Sequence, residues 1–194
     1  MSFLLKKSWK QFKTWIFYPI TMLKIHKTGF WHIIGVGTQF LNPKNIYLGN
    51  NVRIGRLSRL CSYKVGDNYG KIIIKDNCYI VDFLTILAGS DIIIEENNLI
   101  ASYVGIFSEN HSMDPLSKLK YGHQPLTGAP VTIKRNCWIG EKVLILPGVT
   151  IGEYSIIGAG SVVNKNIPPY SIAVGNPAKV IKKFDFKRKE WIKV

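Results

Sequence analysis

Acidic side chains are scarce in this 194-residue chain: 12 Asp and Glu stand against 26 Lys and Arg, for a formal charge of +14. A surface so short of carboxylates draws anions to it, which keeps nucleic acid, phosphorylated cofactors and acidic lipid headgroups open as partner classes. Much of the excess lies near the ends, in 6-KKSWKQFK-13 and 179-KVIKKFDFKRKEWIK-193, which argues against one central nucleic-acid groove. Cysteine is also sparse. Cys61, Cys78 and Cys137 are odd in number and widely spaced, a pattern that excludes a disulfide framework and a zinc site with paired ligands and fits a reducing compartment. Long hydrophobic runs are missing too: no segment reaches the roughly 20 apolar residues of a spanning helix. The nearest, 15-WIFYPITML-23, is flanked by Lys13 and Lys24 and interrupted by Pro19. No Ala-x-Ala cleavage site follows it, so the chain reads as uncleaved and cytoplasmic, with the inner face of the cell membrane as its second location.

What is present suffices for one full core, since 46% of residues are hydrophobic. Residues 3 to 23 set Phe3, Leu4, Leu5, Trp9, Phe12, Trp15 and Ile16 among Lys6, Lys7, Lys10 and Lys13, the composition of a basic amphipathic helix. Such a helix either lies on an anionic membrane surface or packs on its own domain or a sister subunit, and the residues leave both open.

The dominant feature is a repeat. Ile133, Ile139, Ile145, Ile151, Ile157 and Val163 recur every six positions, with Cys137, Val143, Val149, Ser155 and Ser161 in a second row four positions after each aliphatic. Earlier rungs are Leu48, Ile54 and Leu60, then Ile74, Ile80 and Ile86, then Ile94, Ile100 and Ile106 after a shift of two. A period of six fits neither a helical stripe nor the simple alternation of a half-buried strand. It fits short strands joined by turns, three to a triangular coil, so that residues 18 apart stack and successive coils hydrogen-bond as parallel strands. Glycine often follows the aliphatic residue, as Gly140, Gly152 and Gly158 do, and is expected to permit the bend through positive φ. The one large interruption is residues 107–130, and His111 stands at its start. Loops set on rigid scaffolds commonly carry function.

The unit aliphatic-Gly-x-x-small-x resembles the hexapeptide-repeat acyltransferases over roughly residues 45 to 183. The segment 138-WIGEKVLILPGVTIGEYSIIGAGSVVNKNIPPYSIAVGNPAKVI-181 is similar to the carboxy-terminal block of the galactoside, maltose and polysaccharide O-acetyltransferase branch. The resemblance implies an all-β fold, a left-handed parallel β-helix over residues 45–168 with the loop 107–130 ejected. An amino-terminal basic, aromatic-rich segment precedes it (1–44), and a basic helix or tail follows (169–194). It further implies a homotrimer with active sites between subunits, acetyl-CoA as co-substrate, no metal, and a sugar or glycan hydroxyl as acceptor. An amino sugar or a xenobiotic acetylated on nitrogen is the enzyme alternative, and a non-catalytic binding solenoid the alternative from another class.

Acetyl transfer from a thioester needs a base for the acceptor proton and donors for the oxyanion. Histidine suits the first role near neutral pH, and the chain has His26, His32, His111 and His123. The first two lie in the aromatic amino-terminal region, where packing is the default. The family's catalytic histidine occupies an Asn/Thr-His-x-x-Asp motif, matched by 110-NHSMD-114, so the resemblance implies His111 as general base. His123 is the second candidate, and Glu109, Asp114 or a backbone carbonyl are open as the group orienting the ring. Cofactor contacts carried over by the same resemblance are Trp138, Glu141, Ala159 and Asn164, with Lys179 and Lys182 meeting the CoA phosphates. Acceptor contacts are assigned to Asp82, Asn110 and Asp114. Where relatives carry an acidic residue on the preceding coil, this chain reads Ala88-Gly89. Cys78 and Cys137 fall in the small-residue row and read as structural, while Cys61 is off the repeat.

Overall fold

A computed structural model describes Ile25 and residues 27–194 of the chain; the amphipathic segment expected over residues 3 to 23 lies outside the described residues. The period of six folds into short strands that stack as three parallel sheets, the left-handed β-helix of the expectation. Sheet 1 runs through Lys27–Thr28, Ile46–Leu48, Ile72–Ile74, Ile92–Ile94, Val131–Ile133 and Thr150–Ile151. Sheet 2 runs through Ile33–Ile34, Arg53–Ile54, Tyr79–Ile80, Leu99–Ile100, Trp138–Ile139, Ile156–Ile157 and Ser171–Val174. Sheet 3 runs through Gln39–Leu41, Arg59–Ser62, Thr85–Ala88, Gly105–Phe107, Leu144–Ile145 and Val162–Val163. Ile133 pairs with Ile151 and Ile139 with Ile157, the stacking of residues 18 apart. Ile74 pairs with Ile94 instead, so the extra two residues are absorbed in the turn between Thr85–Ala88 and Ile92–Ile94.

Each rung drives one aliphatic side chain inward, where Ile74, Ile86, Ile94, Ile100, Ile106, Ile133, Ile139, Ile145 and Ile151 are completely or almost completely shielded. Burying one such side chain contributes about 1.5–3 kcal/mol. The second row is buried as well, and its polar members satisfy the corners. Asn98 Nδ2 donates to the Glu95 carbonyl while its Oδ1 accepts from the Cys137 N–H at 2.7 Å, and Ser161 Oγ donates to the Gly158 carbonyl at 2.6 Å.

The corners show how the turns are made, and the glycines act differently from the expectation. The left-handed backbone belongs to Trp31, Asn51, Asn77, Asn97, Asn136 and Tyr154 between sheets 1 and 2, and to Gly37, Leu57, Phe83, Tyr103, Lys142 and Gly160 between sheets 2 and 3. Asparagine tolerates that region; the bulkier residues pay a penalty of about 1–2 kcal/mol each, offset by the ladder. Phe83 N–H donates to the Arg56 carbonyl and Lys142 N–H to that of Ser102, at 2.8 and 3.0 Å. Gly140, Gly152 and Gly158 are absent from the positive-φ set. They are needed for close approach: a Cβ on Gly140 would fall 2.6 Å from the Ala159 nitrogen, and one on Gly152 would collide with Pro169.

Two boundaries also differ. Parallel pairing reaches amino-terminally of residue 45, with Lys27 opposite Tyr47 and Ile33 opposite Arg53; these early coils lack the repeat's isoleucine regularity and so escape a scan for period. The carboxy-terminal extension, expected as a basic helix or tail, is an antiparallel hairpin of Lys179–Asp185 and Glu190–Lys193 added to sheet 2. Phe184 meets Trp191 across it with ring centroids 5.4 Å apart, and the Asp185 carboxylate accepts from the Lys187 and Arg188 N–H groups in the turn. Such a cross-strand aromatic pair stabilises the strand pairing.

Replacing Ile100 by Ala, in the middle of the sheet 2 column, is expected to lower unfolding stability by about 2–5 kcal/mol, read as a shifted denaturant midpoint.

Candidate functional site

The interruption at 107–130 is a built element. Glu109–His111 pairs antiparallel with Leu126–Gly128, setting Glu109 opposite Gly128, Asn110 opposite Thr127 and His111 opposite Leu126. The ribbon leaves sheet 3 directly after Gly105–Phe107, at the corner between sheets 3 and 1. His111 is exposed on it, and because strand side chains alternate, it shares a face with Glu109 while Asn110 faces the other way. Beyond the ribbon, the tip is organised by Gln124, a residue the sequence did not single out. Its Nε2 donates to the Asp114 and Leu119 carbonyls and its Oε1 accepts from the Asp114 N–H. The signal was a lone amide in a proline-flanked loop, too common to read. Asp114 turns its Oδ1 back to the Leu116 N–H at 2.9 Å, and His123 sits in an exposed turn, Tyr121–His123.

A second insertion stands beside the ribbon. Lys64–Val65 and Asn68–Tyr69 form a small antiparallel hairpin, and Val65 and Glu109 both close on the backbone of Gly89.

The residues expected to hold the cofactor separate into two places. On the outer face of sheet 2, register carries Trp138 to Ile156, Ile156 to Ile172, Ile172 to Lys182 and Lys182 to Lys193. One continuous row therefore joins the half-exposed Trp138 to two lysines, three strand spacings of about 4.8 Å separating Trp138 from Lys182. Lys193 was missed because only the hairpin brings it opposite Lys182. Glu141 and Ala159 stand on neighbouring coils at the corner of sheets 2 and 3, where the Glu141 carbonyl accepts from the Gly160 N–H at 2.7 Å. Lys179 lies opposite Val174 on the same sheet. Asn164 does not join them: it follows Val162–Val163 at the other end of the sheet 3 strands, the end from which the ribbon rises.

Asp82 is committed elsewhere. Its carboxylate accepts from Arg56 Nε at 2.9 Å and from Nη2 at 2.6 Å, and from the Arg56 N–H at 2.7 Å. These side-chain and backbone hydrogen bonds hold it below the ordinary carboxylate range. Asp91 likewise accepts from the Lys71 N–H. Two surface clefts of about 470 and 560 Å³ lie along the edge of sheets 1 and 2, the first lined by Tyr47, Ile73 and Asp76 and the second by Glu95, Arg135 and Asn166. Neither includes His111. His32 is half-buried with Nε2 against the Gly29 carbonyl, and burial pushes its pKa down. Among the described residues no three His, Cys, Asp or Glu side chains converge as a metal site, and no helix is long and apolar enough to cross a membrane.

The family described as bacterial transferase hexapeptide (six repeats) matches residues 130–165. WbbJ of Escherichia coli (strain K12), named for lipopolysaccharide biosynthesis O-acetyl transfer, is 34% identical over 158 residues, covering 78% of this chain and 79% of WbbJ. The chain belongs to the hexapeptide-repeat transferase family. YJL218W of Saccharomyces cerevisiae, which bears an acetyltransferase name, is 45% identical over 121 residues, 62% of this chain. The chain spans only 60% of that relative's length and 55% of the similarly named Staphylococcus aureus SAV2555. Among solved structures, a galactoside acetyltransferase in complex with coenzyme A superposes with a TM-score of 0.63 at 28% identity, over 91% of this chain and 76% of that one. AntD, an N-acyltransferase from Bacillus cereus, gives 0.74 at 23% identity over 88% and 91%, and shares the fold.

A hexapeptide-repeat transferase could in principle use a cysteine nucleophile, but burial pushes the Cys78 and Cys137 thiols up to about 11. Each Sγ also donates to a carbonyl of the next coil, Glu95 at 3.0 Å and Gly152 at 3.1 Å. Thiolate at either site appears only as pH rises toward that value, leaving roughly a thousandth ionised at pH 8. Iodoacetamide at pH 8 should therefore leave both unlabelled in the native protein and alkylate both in denaturant, as read by peptide mass spectrometry.

Proposed function

We propose that this chain is an acetyl-CoA-dependent acetyltransferase that esterifies a hydroxyl of a sugar or polysaccharide precursor, with His111 as general base. The observation that carries the reading is the exposed His111 on a two-stranded ribbon raised from the stack. The imidazole takes the acceptor hydroxyl proton as the oxygen attacks the thioester carbonyl. The tetrahedral oxyanion collapses with cleavage of the C–S bond, and the proton passes to the departing sulfur, releasing CoA and the acetyl ester without a covalent enzyme intermediate. The row from Trp138 to Lys182 and Lys193 supports acetyl-CoA as donor, its pantetheine arm along the sheet and its phosphates at the lysines, with Glu141 and Ala159 at the groove's corner and Lys179 nearby. Lysine supplies charge there without a bidentate fork.

Within one chain the His111 ribbon and the Trp138 row flank opposite ends of the sheet 3 strands. A site using both groups is therefore completed by a second copy, which favours the homotrimer of the family pattern. Tyr79, Leu99 and Trp138, in one register row and each 41–51% exposed, offer the apolar surface for that contact, with Arg53 over the Tyr79 ring at its edge. Asn110 and Asp114 remain acceptor-side residues of this reading, and Asn164 a cofactor contact from the neighbouring copy. Asp82 is reached only by giving up Arg56. An amino group is the second acceptor class; the N-acyltransferase fold neighbour is the observation in its favour. Action at the cytoplasmic face of the membrane, through residues 1–23, completes the proposal.

Acetyl-CoA consumption screened across sugars and amino sugars tests the reading. His111→Ala should lose about 10²–10⁴ in rate with the acetyl-CoA KM little changed, and an unimpaired variant would sink the assignment. Lys182→Ala and Lys193→Ala should each raise the acetyl-CoA KM, less so when dephospho-CoA thioester is the donor. Deleting residues 1–23 should abolish sedimentation with anionic liposomes.

A further inference from the structure

Position 89 has no room for a side chain. A Cβ built on Gly89 would stand 2.5 Å from Glu109 Cβ, 3.3 Å from Glu109 Cγ and 2.8 Å from Val65 Cγ2. Glu109, on the following coil, has taken that space. Opposite it on the ribbon is Gly128, which likewise has no side chain and lies against Ser90 and Ser108. The stem of Glu109 thus lies against the Gly89 backbone beside Val65, while the residue stays half-buried. Its carboxylate is not claimed by a cation: among the described residues the ion-paired acids are Asp82, Glu95, Glu96, Glu153 and Asp185. This carboxylate stands two residues before His111 on the same ribbon face, beside the hairpin of residues 64–69.

We infer that Glu109 is the specificity-determining carboxylate of the acceptor subsite, accepting a hydrogen bond from the hydroxyl adjacent to the one that His111 deprotonates. The inference rests on the transferase reading and specifies its acceptor as a vicinal diol of a pyranose. Two acceptor-only oxygens suit a pair of neighbouring hydroxyls, and the i, i+2 spacing of about 6.6–7 Å along a strand leaves one sugar ring between carboxylate and imidazole. At the base of the inserted hairpin, Tyr69, paired with Lys64 and exposed, offers a ring face for the sugar's opposite side.

The test uses the full-length enzyme, acetyl-CoA, and methyl glycosides of glucose, galactose, mannose and rhamnose with their monodeoxy analogues. Glu109→Gln should raise the KM of the active glycoside about 10–100-fold, the range for a hydrogen bond to a charged group, leaving kcat and the acetyl-CoA KM within about threefold. The analogue lacking the neighbouring hydroxyl should lose the same factor against the wild type and nothing further against Glu109→Gln. Glu109→Gly should behave like Glu109→Gln, and adding Gly89→Glu, which returns a carboxylate through the same space, should recover most of the loss. An unchanged glycoside KM in Glu109→Gln overturns the inference. So does a fall in kcat with KM intact, which would make Glu109 an orienting partner of His111. A wild type that acetylates none of the glycosides or amino sugars brings down the transferase reading itself, and this inference with it.

Discussion

Everything in this molecule hangs on the stacking of like on like along the solenoid axis. An isoleucine from each coil rests on its counterpart in the next, and the backbone groups around it pair with the coils above and below. No coil could bury its aliphatic residue alone, because each strand is only two to four residues long. The stack supplies what the single unit lacks, and it also makes the scaffold stiff. A register error of one residue would turn every inward side chain to solvent, so deviations from the period are confined to the corners. Both insertions, the hairpin of residues 64–69 and the ribbon of 109–128, leave at the same kind of corner, after a sheet 3 strand.

That placement gives the candidate site its character. The ribbon is anchored by its own pairing and by contact with Gly89, so His111 is carried on a rigid two-stranded arm whose direction is set by the coils beneath. The row of Trp138, Ile156, Ile172, Lys182 and Lys193 is equally fixed, being a register line across sheet 2. Neither group needs to move for the chemistry proposed. What each needs is the other, and their placement at opposite ends of the sheet 3 strands makes subunit association part of the mechanism proposed.

The solenoid was legible because one bulky residue per strand leaves a period that composition cannot hide, and the interruption carrying His111 was legible as a break in it. Residues before 45 were not: Phe40 and Gln39 occupy the coil without the aliphatic regularity, so only backbone pairing reveals it. Gly140 and Gly152 were read correctly as corner residues, with the wrong physical reason; a sequence shows where glycine stands and not which neighbour it would strike. Asp82 was assigned to the acceptor on resemblance, and its engagement by Arg56 comes from a residue 26 positions away, a relation invisible along the chain. Lys193 and Glu109 gained meaning through partners, Lys182 and Gly89, that folding alone brings near.

The terminal hairpin has a consequence for the life of the protein outside catalysis. A parallel solenoid ends in a bare strand edge, and identical units stacked end to end would extend it indefinitely, as in a fibril. Here the last coil is followed by a reversal of direction at Lys179–Asp185, and the outermost strand, Glu190–Lys193, presents a twisted, lysine-bearing margin. Another molecule approaching that margin meets the positive charge of Lys187, Arg188, Lys189 and Lys193. The same fifteen residues that place cations at the end of the Trp138 row thus cover the sheet 2 edge on which a further coil would pair.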